Sequence, residues 1–102
     1  MVDESFKDFI LDQLQDIPDV WARKMFGGFG LYAGKTFFGI ISDDVLYFKT
    51  NEKSRELYIE KGMKPFAPSE KQVLKNYYEV PIDLLENPVE LALLAQTAVG
   101  LI

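Results

Sequence analysis

The stretch Arg23-Lys-Met-Phe-Gly-Gly-Phe-Gly-Leu-Tyr32 decides how this chain folds. Three glycines, Gly27, Gly28 and Gly30, fall within four positions, and large apolar residues flank them on both sides. A flexible linker surrounds its glycines with polar residues, because it has no apolar surface to bury. The apolar neighbours here require burial, so the stretch predicts a packed, sharply bent backbone. At such a bend a glycine takes a positive φ or lets another chain segment approach closely.

Strand-like patterns surround this bend. The segment after it is nearly continuous in apolar character from Thr36 to Ser42, which is typical of a central, covered strand. Gly34 and the pair Asp43-Asp44 supply the tight turns that join neighbouring strands. The sequence therefore predicts a meander of antiparallel strands over residues 20–26, 29–32, 36–42 and 45–50.

Three helices are predicted around the meander. Apolar residues at three- and four-residue spacing indicate a helix over residues 4–15, capped by Asp3 or Ser5 and ended before Pro18. Asn51 is a suitable N-cap for a helix over residues 52–61, with Gly62 after its last turn. Asn87-Pro88 opens the last helix, and Glu90 gives it a pattern like a capping box.

The segment between the second and third helices completes the fold prediction. Residues 63–68 contain two prolines and suit a loop or a short edge strand, whereas residues 72–80 alternate and suit a strand. The predicted order is α-β(3-4)-α-β(1-2)-α. This order predicts the α+β class, an antiparallel sheet covered by helices.

The length, cysteine content and net charge of the chain limit its domain number, its cellular location and its binding partners. With 102 residues, the chain is expected to form a single domain over residues 1–102. It has no cysteine, and its acidic N-terminus lacks the basic start and apolar run of a signal peptide, so we expect a cytoplasmic protein. The net charge of −5 opposes phosphate binding, and direct DNA binding is expected to be weak or absent.

Several motifs in one order resemble the TfoX/Sxy N-terminal domain family. The first is the glycine stretch itself, in the form Arg-x-Met-Phe-Gly-Gly-x-Gly-Leu-Tyr. Further along, Asp44-Val-Leu-Tyr-Phe-Lys49 resembles the family's Asp-x-Leu-Tyr-x-Lys, and Gly62-Met-Lys-Pro-Phe66 its Gly-Met-x-Pro-Phe. Tyr77-Tyr78-Glu79-Val80-Pro81 resembles Tyr-Tyr-x-x-Pro. The resemblance covers most of the chain.

The resemblance implies an α+β domain similar to secretion chaperones, in a family of competence transcriptional coactivators. It implies a non-enzymatic role in regulation, with a protein partner such as transcription machinery, no cofactor and no catalytic residue. The C-terminal domain of the longer family members is expected to be absent here. The matching residues become candidates for a structural or partner-binding role: Arg23, Met25, Phe26, Gly27, Gly28, Gly30, Leu31, Tyr32, Tyr47, Lys49, Tyr77 and Tyr78.

The sequence gives little indication of catalysis or of nucleotide binding. Gly28-x-Gly30-x-x-Ala33 has the letters of a dinucleotide fingerprint, but a strand follows where a helix N-terminus should receive the pyrophosphate. The chain has no histidine, which removes the commonest general base. Asp43-Asp44 suits a turn better than half of a metal site, since adjacent residues of an extended segment point apart. We therefore expect no enzyme activity.

Three other features have a plain and a functional interpretation. The tyrosines and Trp21 pack in the core with exposed polar tips, or they stack a nucleobase or small ligand near the glycine bend, or some of them form an apolar interface patch. Glu52, Glu56 and Glu60 form a solvated stripe or a docking surface for a basic partner. The last helix is apolar on more than one side, which predicts that it packs against a second subunit, giving a homodimer with Leu93 at the contact, or against the C-terminal domain in longer relatives. Alternatively Leu93, Val99 and Ile102 wrap back onto the sheet edge.

Overall fold

The fold is a six-stranded antiparallel sheet with four helices, seen in a computed structural model that describes residues 4–25 and 27–100. The helices are α1 (Ser5–Gln13), α2 (Glu52–Glu60), α3 (Ile82–Leu85) and α4 (Pro88–Val99). The strands are β1 (Val20–Met25), β2 (Gly28–Ala33), β3 (Thr36–Ser42), β4 (Val45–Lys49), β5 (Pro65–Ser69) and β6 (Gln72–Glu79). Their order across the sheet is β1-β2-β3-β4-β6-β5. The predicted α+β class, the meander and the central position of the third strand are confirmed.

The first helix differs in detail from its prediction. It ends at Gln13 rather than at residue 15, and its N-cap is Glu4, which makes no side-chain capping bond. The prediction of Ser5 as the cap is therefore wrong, because Ser5 already lies inside the helix. Asp3, the other predicted cap, lies outside the described residues. The short helix α3 was not predicted, since four residues are too few to show a periodic pattern.

The ends of α2 and the N-cap of α4 match their predicted chemistry. The side chain of Asn51 accepts a hydrogen bond of 2.8 Å from the Ser54 N–H, and Ser54 Oγ accepts one of 2.9 Å from the Asn51 N–H. Gly62 follows the helix with φ +75, as a left-handed terminating residue does. At α4 the Asn87 side chain accepts a hydrogen bond of 3.2 Å from the Glu90 N–H, and Pro88 follows Asn87 in the first turn. The return bond that a capping box would need from Glu90 is not formed, because the Asn87 N–H donates to the Leu84 carbonyl instead. Local side chains thus set where both helices begin.

The main core lies between the helices and one face of the sheet. Leu31, Phe38 and Phe48 of the sheet are fully buried there. Residues of α1, α2 and α4 are buried in the same cluster, among them Ile10, Tyr58, Leu91 and Ala95. Leu14, which follows the end of α1, is buried there as well, and residues of α3 pack against the margin of the cluster. Two buried hydrophobic side chains of the sheet, those of Ile40 and Phe66, are outside this cluster. They belong to the opposite face of the sheet, which we call the helix-free face because the core helices pack on the other side.

A β-bulge in the pairing of β2 with β3 places neighbouring apolar residues of β3 on different faces of the sheet. Leu31 pairs with Gly39 but Tyr32 pairs with Phe37, so Phe38 is an extra, unpaired residue. The bulge interrupts the alternation of side chains. Phe38 therefore lies in the main core while Ile40, two residues later, lies on the helix-free face. Within the described ranges, none of the helices is long and apolar enough to cross a membrane.

Candidate interaction surface

The three glycines of the bend have different structural roles. Gly27 has φ +72, a conformation that side-chain-bearing residues rarely adopt, and so makes the turn between β1 and β2. A Cβ atom on Gly28 would overlap with the carbonyl oxygen of Ile41. A Cβ atom on Gly30 would lie 2.6 Å from the terminal methyl of Met25. Both predicted uses of a glycine therefore occur, positive φ at the first and close approach at the other two.

An aromatic row crosses the helix-free face. The rings of Trp21 and Tyr32 stack with centroids 4.6 Å apart and planes 16° apart. Phe37 continues the row at 5.2 Å from Tyr32, and Tyr77 lies 5.4 Å from Phe37. The row therefore joins four side chains from β1, β2, β3 and β6, which the chain separates by up to 56 positions. Trp21 is its outermost member and is 44% exposed.

A second aromatic pair closes the other part of this face. The rings of Tyr47 and Phe66 lie 4.8 Å apart, and Phe66 is only 4% exposed. Ile40, which pairs with both Gly30 and Tyr47, is 1% exposed. Since no described helix covers this face, the side chains of the sheet itself must shield Ile40. The face is therefore a small second apolar cluster with an exposed margin.

Two phenols of this face, those of Tyr47 and Tyr77, have raised pKa values. Burial raises the pKa of Tyr77, and the nearby Tyr32 raises it further. Burial also raises the pKa of Tyr47, with a contribution from the negative charges of Glu79 and Asp43. Raised phenol pKa values oppose ionisation, so these groups offer hydrogen bonds and apolar surface rather than a nucleophile or base. In residues 4–25 and 27–100, no three acidic residues lie close enough together to hold a metal ion.

The structure brings together some of the twelve candidate residues and separates others. Those whose contacts or pairing place them on the helix-free face are Met25, Gly30, Tyr32, Tyr47 and Tyr77. Arg23 and Lys49 pair with members of this set and are exposed. Leu31 and Tyr78 instead belong to the main core, Gly27 and Gly28 form the bend, and Phe26 lies outside the described residues.

Sequence reasoning named Trp21 together with the tyrosines but did not decide between the core and a surface for it, and it did not single out Phe37, Ile40 and Phe66. Alternation along β1 and β2 would have placed Trp21 opposite Tyr32 once the hairpin was assumed. Phe37 and Ile40 could not be found that way, because the bulge at Phe38 breaks the alternation between them. Phe66 follows a proline in an edge strand whose pairing with β6 is irregular.

The fingerprint-like segment and the Asp pair have their plainer structures, whereas the exposure of the acidic stripe is compatible with both of its interpretations. Gly28 to Ala33, the segment like a dinucleotide fingerprint, is strand β2 rather than the entry to a helix. Asp43 and Asp44 form the turn between β3 and β4, with φ values of 51 and 59. Glu52, Glu56 and Glu60 are exposed on α2. The ion pairs of the described residues lie elsewhere, around Lys7 and Lys24 near α1.

The whole helix-free face lies inside a family match. The model of the TfoX N-terminal domain family matches residues 12–101, which is nearly the whole chain. The chain belongs to the TfoX N-terminal domain family. All six strands of this TfoX N-terminal domain are within the match, whereas the first turns of α1 precede it. No curated protein matches the chain.

The last helix of the TfoX N-terminal domain buries part of its apolar surface, and Leu93 does not wrap back onto the sheet. Leu91, Ala95 and Ala98 are buried, and Val99 packs against the core from its margin. Leu93 is 45% exposed and Val89 is 69% exposed, so the outer side of α4 retains apolar surface. Ile102 and Leu101 lie outside the described residues.

Proposed function

We propose that this TfoX N-terminal domain is a non-enzymatic regulatory module that binds a protein partner through the helix-free face. Its family is linked to competence regulation. A regulatory role agrees with the link of the family to competence regulation. Among the described side chains, no group of three or more acidic residues could hold a catalytic metal ion, and the sequence has no histidine to act as a base. The proposal excludes turnover, so a screen of hydrolase and phosphatase substrates provides a direct test. Turnover that a single point substitution abolishes would contradict it.

The observation that carries the proposal is the aromatic row with its exposed end. Protein interfaces are enriched in tryptophan and tyrosine and use charged residues at their margins. Here the stacked Trp21 and Tyr32 form a flat apolar surface, and Trp21 Nε1 donates a hydrogen bond of 2.8 Å to the carbonyl of Gly34. The indole is therefore held rigidly while nearly half of it remains exposed. A rigid aromatic group loses little entropy when a partner covers it.

Nucleic-acid binding is the alternative that the same aromatic residues suggest. Stacking of bases on Trp21 would need cations for the phosphates, and Arg23 and Lys24 are the exposed cations on the same strand. Two phosphate contacts give a salt dependence with a slope of only about −1.8 for a duplex. With a net charge of −5 in addition, such binding is expected to be weak. Nanomolar binding of DNA at physiological salt would promote this alternative over a protein partner.

Affinity capture from bacterial cytosol with matched variants tests the proposal. Wild-type domain is compared with Trp21→Ala, which removes the exposed end of the aromatic row, and with Ile59→Ala on α2. Ile59 is a suitable control because it is 56% exposed and is outside the aromatic row. We expect one or more proteins that the wild type and the control retain and Trp21→Ala loses. Equal capture by all three proteins, with all three folded, would contradict a partner site on this face.

A further inference from the structure

We propose that the free edge of β1 binds an extended acidic peptide segment of the partner, which joins the sheet as an added antiparallel strand. This inference rests on the proposed function and specifies how the partner is recognised. Strand addition uses main-chain hydrogen bonds for affinity and alternate side chains for specificity. It requires an edge that accepts a strand, a chemical preference, and a feature beside the edge that recognises side chains.

The two edges of the sheet differ in their ability to accept a strand. β5 has prolines at both Pro65 and Pro68, each without an N–H, and its register with β6 shifts twice. Both features hinder the pairing of a further strand with this edge of the sheet. β1 contains no proline and pairs with β2 in one unbroken register from Val20 to Met25. Every second residue of β1 turns its N–H and C=O away from β2, so this edge offers a regular ladder.

The charge of the β1 edge favours an acidic partner. Arg23 and Lys24 are both exposed, in a chain whose net charge is −5. The Lys24 side chain is 71% exposed, and its ion pair with Glu4 is long, at 3.8 Å. A second copy of this chain pairing through β1 would bring like charges close together across the new ladder, which is unfavourable. An acidic strand would instead place carboxylates beside both cations.

Trp21 provides a surface beside the β1 ladder that can contact the side chains of an added strand. Its indole is stacked on Tyr32, fixed through the bond to Gly34, and is exposed on a strand that forms the sheet edge. A residue of the added strand directly opposite or diagonal to Trp21 would have its side chain against the indole, which favours an apolar or β-branched residue. The expected ligand is therefore an extended segment in which acidic residues and apolar residues are interspersed.

Selection from a displayed library of random eight-residue peptides provides the first test. We expect enrichment of peptides that combine Asp or Glu with Val, Ile or aromatic residues and lack proline. Trp21 is the only tryptophan of the chain, so its fluorescence then reports titration of the best peptide. The same peptide with N-methyl groups on alternate amides should bind at least about tenfold more weakly in one of the two methylation registers, because strand addition needs its N–H groups.

Charge-reversal variants locate the site. Arg23→Glu combined with Lys24→Glu should weaken the best peptide by at least about tenfold, while Lys71→Glu, in the exposed turn between β5 and β6, should leave its affinity unchanged. Circular dichroism melting of each variant shows that the fold is kept. Enrichment of basic or proline-rich peptides, insensitivity to N-methylation in both registers, or equal effects of the β1 and Lys71 variants would overturn the proposal. A homodimer that the β1 variants dissociate would also overturn it.

The two proposals fail in different experiments. If Trp21→Ala loses a cytosolic partner but acidic peptides do not bind β1, the partner uses the helix-free face without strand addition. In that case the proposed function stands and the present inference is wrong. If Trp21→Ala and Ile59→Ala capture the same proteins in equal amounts, the proposed partner site on the helix-free face is wrong. Peptide binding at β1 would then not be the way in which a partner is recognised, so both proposals would fail.

Discussion

Replacement of Gly28 by alanine should destabilise the domain far more than the same replacement at other glycines. The added Cβ would overlap with the carbonyl oxygen of Ile41 and lie 3.1 Å from its carbonyl carbon and 3.2 Å from the Cα of Ser42. All three atoms belong to the backbone of β3, so relief requires the paired strands to separate. Overpacking costs about 1–3 kcal/mol where side chains can adjust, and we expect the upper value here, about 3 kcal/mol.

Two other glycines provide graded controls. Gly34 has φ +61 and open space around its Cβ position, so Gly34→Ala should cost only the strain of that conformation, about 1 kcal/mol. Gly30→Ala would press on the flexible end of Met25, which can move, and should cost about 1 kcal/mol or less. The gain from a less flexible unfolded chain is common to all three variants and cancels in the comparison.

Thermal melting followed by circular dichroism measures the difference. At about 4–8 °C per kcal/mol for a domain of this size, Gly28→Ala should melt roughly 12–24 °C below the wild type. Gly34→Ala should melt about 4–8 °C below it. A Gly28→Ala domain that melts at or above the temperature of Gly34→Ala would refute the close approach of β2 and β3 as the reason for this glycine.

Three further outcomes are expected. Asn51→Ala removes the hydrogen bond that the Asn51 side chain accepts from the Ser54 N–H, which is one half of the capping box, and should cost about 1 kcal/mol, or about 4–8 °C in melting temperature. Burial raises the pKa of Tyr58, so its contribution to stability is intact below the ordinary tyrosine pKa of about 10 and is lost as the pH rises above it. Tyr58→Phe should therefore lose less melting temperature than the wild type between about pH 9 and pH 11, and equal losses would contradict the assigned cause. If α4 forms a homodimer, Leu93→Glu should convert it to a monomer in sedimentation at micromolar concentration, and a wild type that is already monomeric would refute the dimer.

Much of the secondary structure followed from local chemistry. Asn51 and Asn87 begin helices because their side chains accept N–H groups three residues away, which depends on no distant part of the chain. The Asp43-Asp44 turn and Gly62 are local in the same way, since each adopts a positive φ. The one capping error, at Ser5, concerns a helix that begins without a side-chain cap.

The candidate surface was only partly predictable. The motif residues Tyr32, Tyr47 and Tyr77 were chosen by resemblance and do lie on one face, but Leu31 and Tyr78 from the same motifs lie in the main core. Alternation along a strand places Leu31 and Tyr32 on opposite faces, and likewise Tyr77 and Tyr78, but an isolated motif does not tell which of the two faces the helices cover. The face on which a strand residue lies depends on register and on bulges, which are set by pairing with other strands.

The sequence by itself determined the α+β class, the order of the elements other than the short helix α3, and the need for glycine at the bend, because these depend on composition, turn residues and contacts between near neighbours. Tertiary structure alone decided that Phe38 bulges from its strand and that Trp21, Tyr32, Phe37 and Tyr77 meet in one row. It also decided that β1 forms an edge. The physical reason is that pairing brings together segments distant in the chain, and a shift of one residue in register moves a side chain to the opposite face.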